Sequence, residues 1–281
     1  AERWVFSSRD GGVYSWQQNP YTRDNVYFLE WMGEGNGLRA GTVPGALSEP
    51  NLIQSRSFRD RVHLEEDRDT VIELLGIKSG YDWFWQTFRG NTREFAVSLQ
   101  DVIPEQPVAI EVMFWGFSEG RHQFDMRWND RVVGVRSFSG SAAQSVTFAA
   151  SQEILEGANK ITLNHRDNAA TRLDWLELEY SRTMRARDGA LSFDWLSATG
   201  LTTDEAGETP VAEFELTGFD DGRPRIFEYK IPRTLNEIVD FEHDAMTGSI
   251  AFQSTYTGSG SPPLFLAVDD DGWKRPAAIE W

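Results

Sequence analysis

The chain has 281 residues and carries 44 Asp and Glu against 27 Lys and Arg, a net charge of −17, with a pI near 4.7. That balance argues against nucleic acid or anionic membrane as the main partner, since both are gripped by clustered Lys and Arg. The lack of cysteine excludes disulfides, thiolate nucleophiles and cysteine-ligated zinc, and no apolar run approaches the roughly 20 residues of a membrane span, so no membrane insertion is expected.

The first residues already read as a strand (Trp4, Val5, Phe6), with no signal-peptide pattern, so the sequence is expected to be a segment of a longer protein. Residues 13–16 and 26–31 read as strands around Asn19-Pro20, and 33–45 as a glycine-rich connection. From Phe58 short alternating runs crowd together at 71–77, 81–88, 95–99, 108–117, 124–128, 132–138, 146–148, 161–163 and 176–180. That is jelly-roll density. Asn129-Asp130 reads as a two-residue hairpin turn, and 151–157 as a single helical turn with Ser151 and Glu153 as capping groups. A second set of strands follows at 191–196, 212–219, 226–231, 238–241, 250–256 and 264–268, with a turn at 220–222 and a flexible loop at 257–263.

The expected fold class is therefore all-β: a jelly-roll, galactose-binding-like β-sandwich over 59–184 and a second, immunoglobulin-like β-sandwich over 185–281. Six strands are few for a closed sandwich, so strands within 1–58 are expected to complete the second one.

Several stretches, taken in order, resemble the β region that precedes the caspase-like domain of gingipain-type cysteine peptidases, a family that includes the sortase-like member of the type IX secretion pathway. They are NPYTRDNVYFLEW (19–31), RVHLEED (61–67) with Trp83-Phe84-Trp85, GFSEG (116–120), the Asn129 hairpin, LEGANKITL (155–163), DWLELEYSR (174–182) and RIFEYKIPRTLNEI (225–238). Two positions depart from the family pattern: Asp130 stands where glycine is usual, and EYKIP (228–232) only approximates it. The resemblance implies an exported, extracellular or cell-surface protein. The family's catalytic His and Cys belong to a later domain, so this chain is expected to be non-catalytic, a scaffold or recognition region whose partner is the adjacent peptidase domain or a protein or glycan ligand.

Residues 58–182 also resemble galactose-binding-like carbohydrate-binding modules, in which an early Glu and an Asp before the last strand hold a structural calcium. The matching positions are Glu65 or Glu66 and Asp174. The two-residue period of the last strand places Asp174 on the face of Leu176, Leu178 and Tyr180, where an unpartnered carboxylate is unfavourable. Its alternative is a pair with Arg172 or a backbone cap. Asp269 and Asp271 form a weaker calcium candidate: an EF-hand alignment fails because Ala267 and Ala278 occupy ligand positions.

Period two also sends Tyr81, Trp83 and Trp85 to one face, where they would stack on sugar rings if exposed and build a core or interface if buried. GFSEG matches the nucleophile-elbow pattern, yet another strand follows it rather than a helix, so Ser118 is expected in a hairpin loop. His63, His122, His165 and His243 lack metal-site spacing and are expected in ordinary surface or core roles. Carbohydrate binding, calcium-dependent or not, is the alternative function.

Overall fold

The computed structural model describes residues 39–46, 52–72, 81–201, 210–219, 223–230, 234–256 and 261–274. The expected strands at 13–16 and 26–31 and the turn at 220–222 lie outside them. The described chain is almost entirely β and divides into two compact units, Ser55–Arg185 and the pair Ala1–Gln54 with Ala186–Trp281.

In chain order the strands begin with β1 (Gly41–Pro44) and β2 (Leu52–Ser55). Next come β3 (Ser57–Glu65), β4 (Asp69–Ile72), β5 (Tyr81–Phe84), β6 (Gln86–Phe88), β7 (Thr92–Leu99), β8 (Val108–Gly116) and β9 (Arg121–Trp128). After them are β10 (Arg131–Ser139), β11 (Ala143–Ala150), β12 (Gly157–His165) and β13 (Thr171–Thr183). The remainder is β14 (Ala190–Asp194), α1 (Trp195–Thr199), β15 (Val211–Leu216), β16 (Arg225–Lys230), β17 (Thr234–Val239), β18 (Glu242–Asp244), β19 (Ser249–Thr255) and β20 (Leu264–Val268).

The continuous unit is a sandwich of two antiparallel sheets, ordered β10-β9-β12-β7 and β11-β8-β13-β3, with β6 also pairing with β13. Alternation along β8 buries Val108, Ile110, Val112 and Phe114, and alternation along β9 buries His122, Phe124, Met126 and Trp128. Phe114 and Phe124 stack across the layers at 4.2 Å. Each such ring, fully buried, contributes about 1.5–3 kcal/mol.

At the expected hairpin turn Asn129 and Asp130 both have positive φ, 45° and 67°, the backbone a tight two-residue hairpin requires. The Asn129 side chain also fixes the segment where a helical turn was expected. Its Nδ2 donates to the Glu153 carbonyl at 2.7 Å, and Asn159 bonds both the N–H and the carbonyl of Leu155. With those backbone groups taken by side chains and Glu153 at φ 54°, residues 151–156 form an irregular connector instead of a helix.

The other unit is also two-layered. One sheet runs β1-β17-β16-β20-β14 and the other β18-β19-β15-β2. Phe214 on β15 meets Phe193 on β14 and Phe265 on β20 between them, at 5.2 and 5.1 Å. β1 pairs in parallel with β17, Gly41 opposite Asn236, although its residues read as part of a glycine-rich connection.

The strand expected over 191–196 ends at Asp194, whose side chain accepts from the Ser197 N–H at 2.9 Å while the Ser197 hydroxyl lies 3.3 Å from the Asp194 N–H. This capping box starts α1, which Gly200 ends in the left-handed conformation.

Candidate functional site

The structure separates Trp83 from Trp85, which period two put on one face. Trp83 is 44% exposed, whereas Phe84 and Trp85 are both buried. A bend at Trp85 divides β5 from β6, so the alternation restarts there. Phe84 packs on Trp115 and Phe117, with the Arg172 guanidinium over the Phe84 and Phe117 rings at 5.6 and 5.1 Å. Trp85 turns into the sandwich core against Phe95, at 4.7 Å. The side chain of Tyr81 lies outside the described residues.

Asp174 does not share the inward face of Leu176. The pairing of β13 with β8 slips between Leu173 and Leu176, and both leucines are buried. The extra residue of this bulge leaves Asp174 and Trp175 half-buried. Arg172 pairs with Asp69 at 2.8 Å. Glu65 stands opposite Trp175 and faces His63 at 3.1 Å, and Glu66 is bonded by Arg68 at 2.6 Å. Among the described residues Glu65, Glu66 and Asp174 do not converge as a three-donor cluster. At the other acidic stretch the Asp269 Oδ1 accepts the N–H groups of Asp271 and Gly272, at 3.1 and 3.2 Å. Its carboxylate thus closes the turn.

His63 lies on the outer face of β3 and β13, where Arg59, Arg61, Glu177 and Glu179 alternate in charge across the two strands. Burial lowers the proton affinity of the ring, but Glu177 and Glu65 outweigh it and raise its pKa from 6.5 to about 9. At neutral pH His63 is a cation between two carboxylates. Asp67, beside them, is raised by burial and by Glu65.

The convergence the sequence did not signal lies at one end of the sandwich. His165, the last residue of β12, pairs with Phe124 of β9, and His122 lies two residues before Phe124 on the same face. Both histidines are buried, their rings parallel within 7° and 6.5 Å apart. Asp167, in the loop to β13, brings Oδ1 within 2.9 Å of His165 Nε2. Burial lowers the His165 pKa; Asp167 opposes that shift and His122 adds to it. Ser118 sits in the turn between β8 and β9 and presents its carbonyl oxygen to His122 Nε2 at 3.1 Å. Strand, turn and strand replace the strand–turn–helix that a nucleophile elbow needs.

No protein-family model matches the chain, and no curated protein matches its sequence. Its structure is similar to dimeric latent PorU from Porphyromonas gingivalis, at 13% identity and a TM-score of 0.63 over 82% of this chain and 22% of that one. This is a likeness of fold, over a span longer than either unit, and the chain corresponds to about a fifth of that protein's length. Two further similar structures are a carbohydrate-binding module, CBM36, in complex with calcium and xylotriose, and the C-terminal CBM6 of a laminarinase from Zobellia galactanivorans. They match 42% of this chain and 98% of their own, at 15% and 12% identity, with TM-scores of 0.31 and 0.27, too loose to bear on function.

Proposed function

We propose that the chain is a non-catalytic scaffold or recognition region of an exported, gingipain-like cysteine peptidase whose catalytic domain lies elsewhere in the parent protein. The observation that carries this reading is the fold shared with PorU across 82% of the chain. The ordered motifs from NPYTRDNVYFLEW to RIFEYKIPRTLNEI add to it. So does the use of polar groups of catalytic type: the Ser118 carbonyl and the Thr171 hydroxyl both serve His122, and Asp269 closes a turn. The mechanism is one of presentation, in which two sandwiches hold loops and sheet faces rigid for the peptidase domain or its substrate.

Reading the parent coding sequence beyond Trp281 tests the proposal. A caspase-like domain with its His and Cys is the expected result. A glycosidase domain there would overturn it.

One observation favours carbohydrate binding as a second reading. Trp83, alone of the Trp83-Phe84-Trp85 run, presents a large open ring to solvent. A structural calcium held by Glu65 or Glu66 with Asp174 belongs to the same reading, and a calcium titration followed by thermal melting tests it.

A further inference from the structure

We propose that His122, His165 and Asp167 form a site for a divalent transition metal of the zinc class at one end of the jelly-roll sandwich.

The three side chains offer donor atoms that all lie within 4.8 Å of one another. The rings are held from both sides: Phe138 stacks on His122 at 4.7 Å and Phe124 on His165 at 4.4 Å, each within 15° of parallel. Such clamping fixes ligand geometry before any ion arrives.

His165 Nε2 lies 2.9 Å from Asp167 Oδ1, yet the two are out of line and Nε2, fully buried, makes no hydrogen bond. A buried nitrogen left in this state is unfavourable. Close approach without hydrogen-bond alignment is how two ligands of one ion stand to each other.

The surrounding bonds suit the same arrangement. His122 Nδ1 lies 2.6 Å from the Thr171 hydroxyl, which itself points at the Ala169 carbonyl at 3.5 Å. Without an ion the Ser118 carbonyl, 3.1 Å away, accepts from His122 Nε2–H; ligation shifts that proton to Nδ1, toward the Thr171 hydroxyl, and leaves the carbonyl as a fourth donor. Asp167 is braced by the N–H of Gln123 on Oδ2 at 2.7 Å and of Ala169 on Oδ1 at 3.1 Å. Two imidazoles, a carboxylate and a carbonyl form a zinc-type donor set, whereas calcium takes oxygens alone.

A second contact must also yield. The Gly90 N–H donates to His165 Nδ1 at 3.2 Å, which places the ring proton on Nε2 when no ion is bound. Ligation through Nε2 shifts that proton to Nδ1, where it would meet the Gly90 N–H head on. Gly90 is exposed, with φ 64°, at the turn between β6 and β7, and its amide has to swing away. The site therefore binds more weakly than a preformed structural zinc centre and signals occupancy at Gly90.

Equilibrium dialysis of the full chain against Zn²⁺, with metal analysis, tests the proposal beside Asp167→Asn and His165→Gln. Circular dichroism verifies that each variant is folded. The expected result is a stoichiometric zinc ion in the wild type and affinity weakened by on the order of 10–100-fold in either variant. Calcium should not compete, and the Gly90 amide resonance should move on zinc addition. Zinc binding absent from the wild type, or equal in the folded variants, would overturn the assignment. If one variant fails to fold, the other together with the Gly90 resonance decides.

Discussion

In the jelly roll, residues 55–185, strands β3 to β13 find their partners among themselves within one continuous stretch of chain. The second sandwich is assembled from two separated stretches: Gly41 on β1 lies opposite Asn236 on β17, and β2 is the edge neighbour of β15. Both bury phenylalanine-rich cores, so the hydrophobic driving force is of one kind. The difference lies in chain entropy, because closing a long loop before any contact rewards it is unfavourable and slow. It also lies in how polar groups are taken inside. The jelly roll buries three imidazoles, those of His63, His122 and His165, and the second sandwich buries the Glu228 carboxylate, bonded by Ser254 at 2.8 Å and by Lys230 at 3.0 Å.

The largest test of this contrast is truncation. Deleting residues 1–54 should leave the jelly roll folded and prevent the second sandwich from forming, because β17 and β15 lose their neighbours β1 and β2. Dispersed amide resonances that account for only one unit would be the signature; a full native spectrum would remove the distinction.

Next in size are matched core truncations. Phe124→Ala and Phe214→Ala each remove a fully buried ring, and each should cost about 3–5 kcal/mol in denaturant unfolding. Unequal losses would locate a core able to collapse around the cavity.

His63 supplies a pH dependence that belongs to the jelly roll. Its folded pKa of about 9 exceeds the unfolded 6.5, so the stabilisation is fully present below about pH 6.5 and is lost as pH rises through 9. After solvent screening the effect is on the order of 1 kcal/mol. Glu177→Gln should flatten this part of the stability profile, and an unchanged profile would show that the ion pair stabilises nothing.

Smallest of all, Trp83→Ala should change stability by less than about 0.5 kcal/mol, since the ring is exposed and outside the core. If it nevertheless abolishes binding on a glycan array, the carbohydrate reading gains. Retained binding, or none in the wild type, sets that reading aside.

The contrast also explains what could be read in advance. Strict alternation marked β20 at Leu264–Val268, β8 and β9, and the Asn129-Asp130 turn, because period and turn chemistry are local. A period-two count cannot see an inserted residue. It therefore missed the bend at Trp85 and the bulge after Leu173, and misplaced Trp85 and Asp174 together. Trp195 looked like the end of a strand because its helix depends on the Asp194 and Ser197 cap. β1 was hidden because its partner β17 is distant and parallel. His122 and His165 carried no spacing signal, since their approach is made by the register of β12 on β9.

The role proposed for the chain is to serve a peptidase domain rather than to do chemistry of its own. The most direct test is to titrate the chain against the peptidase domain encoded in the same reading frame, following heat on mixing and the domain's melting temperature. Saturable association that raises that melting temperature is the result expected here. A frame without such a domain, or a domain that neither binds the chain nor is stabilised by it, would contradict it.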